Sequence, residues 1–160
     1  MASVSTPSDL HIANDLRLAA DDLSAARLLW RADNRNDAYH VQQAAEKILL
    51  ALLTSEGVYV ERKDSHRLDV LRDKLPKDNP FKDRFNGLTQ LTLYATTFRY
   101  PRTAGRIPQR ANKSDLEKFI EKIDRILNDA ASHFEVDLGA SDHVPAKNIQ
   151  PPRNANDRQS

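Results

Sequence analysis

The sequence predicts an all-α protein, a bundle of four to five helices packed mainly antiparallel. Three observations carry this reading. Apolar residues recur at about every 3.6 positions through most of the chain, only 4 glycines interrupt 160 residues, and period-two runs of β-branched residues are nearly absent. The length suits one domain with one core. No cysteine is present, which excludes disulfides, thiolate metal sites and cysteine nucleophiles. With 24 Lys and Arg against 23 Asp and Glu, the net charge is +1, so any attraction for a polyanion must be local.

The predicted layout is a flexible N-terminus over 1–8, a helical domain over 9–137 and a disordered tail over 138–160. A first helix starts at Ser8 or Asp9, behind Pro7, and carries Ile12, Leu16, Ala19, Leu23, Ala26 and Trp30 on one face to about Arg31. The polar stretch ADNRND breaks it. A second helix from about Asp37 turns Val41, Ala44, Ala45, Ile48, Leu52 and Leu53 inward and stops at Gly57, where a left-handed cap is easiest.

Asp64 or Ser65 is the expected cap of a short third helix with Leu68, Leu71 and Leu75, ended by Pro76. A fourth helix is expected after DNP, with Phe81, Phe85, Leu88, Leu91, Ala95 and Phe98 on its inner face, ending before Pro101. SDLE at 114–117 reads as a capping box opening a fifth helix with Phe119, Ile123, Ile126, Ala130 and Phe134. From Gly139 the chain becomes polar and proline-bearing, which predicts disorder. No apolar window is long enough for a membrane span and no leader pattern opens the chain, so a cytoplasmic protein is expected.

Three stretches hold groups that could do chemistry. In RNDAYH, Arg35 and His40 stand at a helix entrance with Tyr39 beside them. An imidazole can take a proton from a ribose hydroxyl while a guanidinium stabilises charge on the attacked phosphate, so this pair is a candidate catalytic site for metal-independent RNA cleavage. The bland alternative is a surface arginine and a packed histidine. In QQAAEK, Gln42 and Glu46, and likewise Gln43 and Lys47, are four apart and share a face. With Tyr39 they form a candidate partner or dimer face, or an ordinary solvated one.

The third stretch, RYPRTAGRIPQRANK, has no acidic residue. Arg99, Arg102, Arg106 and Arg110, with Tyr100 as a stacking surface, are candidate nucleotide- or RNA-binding residues, unless they pair with acidic helix faces. No phosphate loop, dinucleotide turn, zinc helix or nucleophile elbow occurs. The remaining histidines lack carboxylates at ligand spacing, so neither a metal nor a cofactor is predicted.

AYHVQQAAEKILLALL, followed by SHRLDVLRDKL and LYATTFRYP, resembles the HEPN domain over about residues 9–137. The resemblance implies a helical bundle that commonly forms homodimers and is often encoded beside a small nucleotidyltransferase partner. Many relatives are metal-independent ribonucleases whose signature is Arg, four to six residues, then His; Arg35, Asn36 and His40 meet it. In those relatives the signature belongs to a later helix, whereas here it precedes the second. The resemblance therefore implies either a binding module in a toxin-antitoxin type system, taking nucleotide or RNA, or an endoribonuclease toxin; a non-catalytic helical adaptor is the third reading.

Overall fold

The computed structural model describes residues 7–95 and 97–155. Four α-helices, α1 (Pro7–Arg31), α2 (Asp37–Ser55), α3 (Leu68–Asp73) and α4 (Lys113–His133), carry the fold, and no strand occurs among the described residues. Residues 32–36 reverse the chain, with Asp33 at φ +56°, so α1 and α2 form an antiparallel hairpin with α4 packed across both. The periodic apolar faces supply the core: Ile12, Leu16, Leu23, Val41, Ile48, Leu52, Ile123 and Ile126 are buried. Ala19, Ala26, Ala44 and Ala45 are fully buried too, and their small side chains let the backbones approach closely.

α2 ends as its sequence implies. Gly57 sits at φ +69°, and the Val58 amide donates back to the Leu53 carbonyl at 3.0 Å. α3 buries Leu68 and Leu71, but neither Asp64 nor Ser65 caps it. Those residues belong to a 3₁₀ turn region at Arg62–Asp64, and the Leu68 amide instead donates to the Thr92 hydroxyl at 3.1 Å.

The expected fourth α-helix is not formed. Residues 81–98 contain two 3₁₀ segments, Lys82–Phe85 and Thr89–Ala95, separated by Gly87 at φ +80°. Phe85, Leu88 and Leu91 are nonetheless buried, because a spacing of three repeats on one face of a three-residue turn. The expected capping box is likewise replaced: the cap lies two residues earlier than Ser114, and Asn112 Oδ1 accepts from the Asp115 amide at 3.0 Å.

The tail departs from the expected disorder as far as Ala155; residues 156–160 lie outside the described residues, as do residues 1–6 of the expected flexible N-terminus. Arg17, 8% exposed, donates to the carbonyls of Asp137 and Val144 at 3.1 and 2.8 Å. The Ala146 amide donates to the Asp9 carbonyl, and the Asn148 amide to the Phe134 carbonyl, both at 3.1 Å. Arg153 then clamps Glu56 through two hydrogen bonds of 2.5 and 2.9 Å. Few apolar residues are needed, because the tail is tied by polar groups. Among the described residues no helix is long and apolar enough to cross a membrane.

Candidate functional site

The entrance of α2 is built against the basic loop. Asp37, fully buried, accepts from Arg110 Nη2 at 2.5 Å and from the Ala38 amide at 2.7 Å. Asp33 accepts from Lys113 and, at 3.4 Å, from Arg110. The Lys113 hydrogen bond is the first cause holding the Asp33 carboxyl below its usual range. The Lys113 ammonium lies 4.5 Å over the Trp30 ring, whose indole N–H donates to the Lys113 carbonyl at 2.9 Å. Arg35 Nη1 donates to the Pro108 carbonyl at 2.8 Å. Arg110 and Lys113 are thus neutralised anchors of the loop's far end.

The near end is different. Arg99 stacks its guanidinium 3.9 Å over the Tyr39 ring and lies 5.7 Å over Tyr100. Arg102 and Arg106 are exposed on a tight turn closed by Arg102 N to Arg106 O at 2.8 Å and Gly105 N to Arg102 O at 2.7 Å, with Gly105 at φ +78°. No carboxylate pairs with Arg99, Arg102 or Arg106 among the described residues. A groove of about 230 Å³ runs between the two ends, lined by Arg35 and Arg99 with walls of Phe98, Tyr100, Ile107 and Pro108. Tyr100 and Ile107 are 59% and 74% exposed.

His40 packs against Tyr39, their rings edge to face at 5.3 Å. Its Nδ1 is 2.9 Å from Asp22 Oδ1, and the other oxygen of Asp22 receives the Lys47 ammonium. No hydrogen bond joins Arg35 to His40 among the described residues; each is held by another group. The guanidinium that reaches the Tyr39–His40 pair is that of Arg99, from a distant segment.

The QQAAEK polar groups divide. Gln42 and Glu46 were expected on a partner face, yet they are 0% and 5% exposed. Gln42 donates to Glu46 at 3.2 Å and Gln43 donates to both Gln42 and Glu46 at 2.8 and 3.2 Å. His66 Nδ1 lies 3.1 Å from the other Glu46 oxygen, so the network closes α2 onto the segment before α3. The reason is that Ala44 and Ala45 sink the helix deeply enough to bury its polar neighbours. Tyr39, Gln43 and Lys47 keep partial exposure.

Asp22 is a site residue that the sequence reading missed. Its signal was weak but present: His40 and Lys47 are seven apart, two turns on one face, and an acidic residue on the antiparallel helix opposite satisfies both. One turn pair earlier on α1, burial pushes the Asp15 carboxyl up to about 6 against the pull of His11 and Lys47, with Glu46 adding to the rise. No group of three or more His, Asp or Glu side chains among the described residues could hold a metal ion.

Residues 14–133 match the family model of the HEPN domain, well over half of the chain. The chain belongs to the HEPN domain family. The HEPN match begins within α1, takes in Arg35, His40 and the whole basic loop, and ends with α4. The tail that Arg17 and Arg153 tie down lies outside the matched HEPN region. No curated protein and no solved structure matches the chain at a significant level.

Proposed function

We propose that this HEPN domain captures the phosphates of RNA or of a nucleotide in the groove between Arg35, in the turn before α2, and the basic loop. The observation that carries this reading is the division of the loop. Arg110 and Lys113 spend their charge on Asp37 and Asp33, whereas Arg99, Arg102 and Arg106 have no carboxylate partner among the described residues and flank Tyr100. Unpaired guanidinium groups beside an exposed ring suit a phosphate backbone with a stacked base. The resemblance in QQAAEK and RYP supports a further step: the domain forms a homodimer and works with a small nucleotidyltransferase in a toxin-antitoxin type pair. Tyr39, Gln43 and Lys47, partly exposed along α2, belong to that partner face.

Fluorescence anisotropy with a single-stranded RNA oligonucleotide, and titration calorimetry with nucleotides, test the binding. Arg102→Ala with Arg106→Ala is expected to weaken RNA binding and to flatten the log–log salt dependence by about 1.4, the slope belonging to two phosphate contacts on a single strand. Unchanged affinity at low salt removes the loop from the reading. Arg110→Ala serves as contrast: it leaves buried Asp37 unpaired and costs about 3 kcal/mol of stability. Co-purification with the product of the neighbouring gene tests the partner.

A second reading is favoured by one observation. Asp22 binds Nδ1 of His40, which leaves Nε2 open on a side chain that is 30% exposed. That is the arrangement of a general base, and it suits a metal-independent endoribonuclease in which Arg35 and His40 of two copies meet, with Arg99 over the neighbouring Tyr39 ring. His40→Ala is then expected to abolish toxicity on expression in a bacterial host; a harmless wild type ends this reading.

A further inference from the structure

We infer that Asp22 is the positioning residue of His40: it fixes the imidazole with its proton on Nδ1 and presents Nε2 as the acceptor. The catalytic meaning of this assignment rests on the endoribonuclease reading above. Asp22 Oδ1 lies 2.9 Å from His40 Nδ1, so an ionised carboxylate can only accept there and the ring nitrogen must donate. A neutral imidazole carries one N–H, so Nε2 keeps its lone pair. The carboxylate is itself anchored, because the Lys47 ammonium occupies Oδ2 and the whole group is only 14% exposed. The Tyr39 ring packs against the imidazole edge to face at 5.3 Å.

The placement couples acid–base chemistry to the groove. Arg99 lies over the same Tyr39 ring at 3.9 Å, so one aromatic side chain contacts both the imidazole and a guanidinium that lines the groove. A ribose 2′-hydroxyl proton passes to Nε2 as its oxygen bonds to the adjacent phosphorus. The phosphorus–5′-oxygen bond breaks, and the imidazolium returns the proton to the leaving oxygen; atoms and charge balance without a co-reactant. Asp22 stabilises the intervening imidazolium and does not itself take the proton.

Long-range nitrogen–proton correlation spectra of the full chain, at a pH where the imidazole is neutral, read the tautomer directly. The wild type is expected to show His40 with its proton on Nδ1. Asp22→Ala is expected to move the proton predominantly to Nε2, while Lys47→Met, which spares the carboxylate, keeps it on Nδ1. An Nε2-protonated wild type, or an Nδ1 proton that survives Asp22→Ala, overturns the assignment. Should Asp22→Ala fail to fold, Asp22→Leu is read in its place and the wild-type tautomer still decides. RNA cleavage is scored separately. Where the wild type cleaves, Asp22→Ala is expected to lower kcat about a hundredfold with KM little changed, and an unaltered kcat overturns the positioning role. A wild type that does not cleave ends the endoribonuclease reading and leaves the tautomer test standing.

Discussion

Asp15 and Asp22 face α2 two turns apart on α1, yet their surroundings differ. Asp22 is answered by His40 and Lys47, whereas burial dominates at Asp15 and pushes its carboxyl up to about 6. A carboxyl whose folded value is raised stabilises the fold fully below its unfolded value, and that contribution is lost as pH rises through the folded one. Asp15→Asn is therefore expected to match the wild type near pH 4 and to be more stable by about 1–2 kcal/mol at pH 8. Urea denaturation at the two pH values measures it; an equal difference at both would show that Asp15 acts through shape and not charge. At this scale the sequence announced a pair that no hydrogen bond joins within one chain among the described residues. Arg35 and His40 meet a spacing rule, but a spacing counts positions along one chain, and the groups that hold each residue, Pro108 and Asp22, come from elsewhere. That Arg99 has no carboxylate partner among the described residues was legible, because basic residues without acidic neighbours have few ways to be neutralised. That Arg110 would nevertheless find buried Asp37 was not, since only the folded loop brings them together.

The helices that were plain in the sequence are those with four or more turns, where periodic burial accumulates over many residues: α1, α2 and α4. The region 81–98 misled because its inward residues were read against one period only. Phe85, Leu88, Leu91 and Tyr94 are spaced by three throughout, the repeat of a 3₁₀ turn, and Leu88 and Leu91 each donate to the carbonyl three residues back at 3.0 Å. Asn79, Pro80 and Gly87 supply the breaks, with Asn79 Oδ1 accepting from the Phe81 amide at 2.9 Å. The end of α4 shows a local choice that opposes the element. Glu135 takes φ +50° while the Val136 amide donates to the Ala131 carbonyl at 2.9 Å, the geometry in which glycine is favoured. The Cβ of a glutamate costs about 1 kcal/mol in that conformation. Glu135→Gly is expected to raise the melting temperature by about 2–4 °C, whereas Gly57→Ala at φ +69° lowers it. Calorimetry of the pair checks the assignment; a destabilised Glu135→Gly would mean that the glutamate side chain contributes more than its backbone strain takes away.

For the molecule as a whole, the tail decides how far the folded unit extends beyond the HEPN match. A disordered tail would leave stability indifferent to Arg153. Here Arg153 reaches back to Glu56 at the end of α2, whose side chain is only 4% exposed, and lies 3.1 Å from Asp78 in the loop after α3. Burial would raise the Glu56 carboxyl, but hydrogen bonds from Arg153 and from Asn79, the latter at 3.0 Å, hold it below the usual range. One arginine therefore joins the tail, α2 and the segment that leads to the 3₁₀ turns. Arg153→Ala removes two charge-assisted hydrogen bonds and is expected to cost about 2 kcal/mol at pH 7. A depressed carboxyl contributes stability above its unfolded value and loses it as pH falls through the folded one. The cost of Arg153→Ala should accordingly shrink as pH falls below the ordinary glutamate value of about 4.3, because the unfolded chain takes up the Glu56 proton first and the folded one at lower pH. Denaturation of wild type and variant at pH 7 and pH 3 separates the possibilities. A cost present at both would assign the stabilisation to packing of the arginine stem, and none at either would return the tail to the solvent.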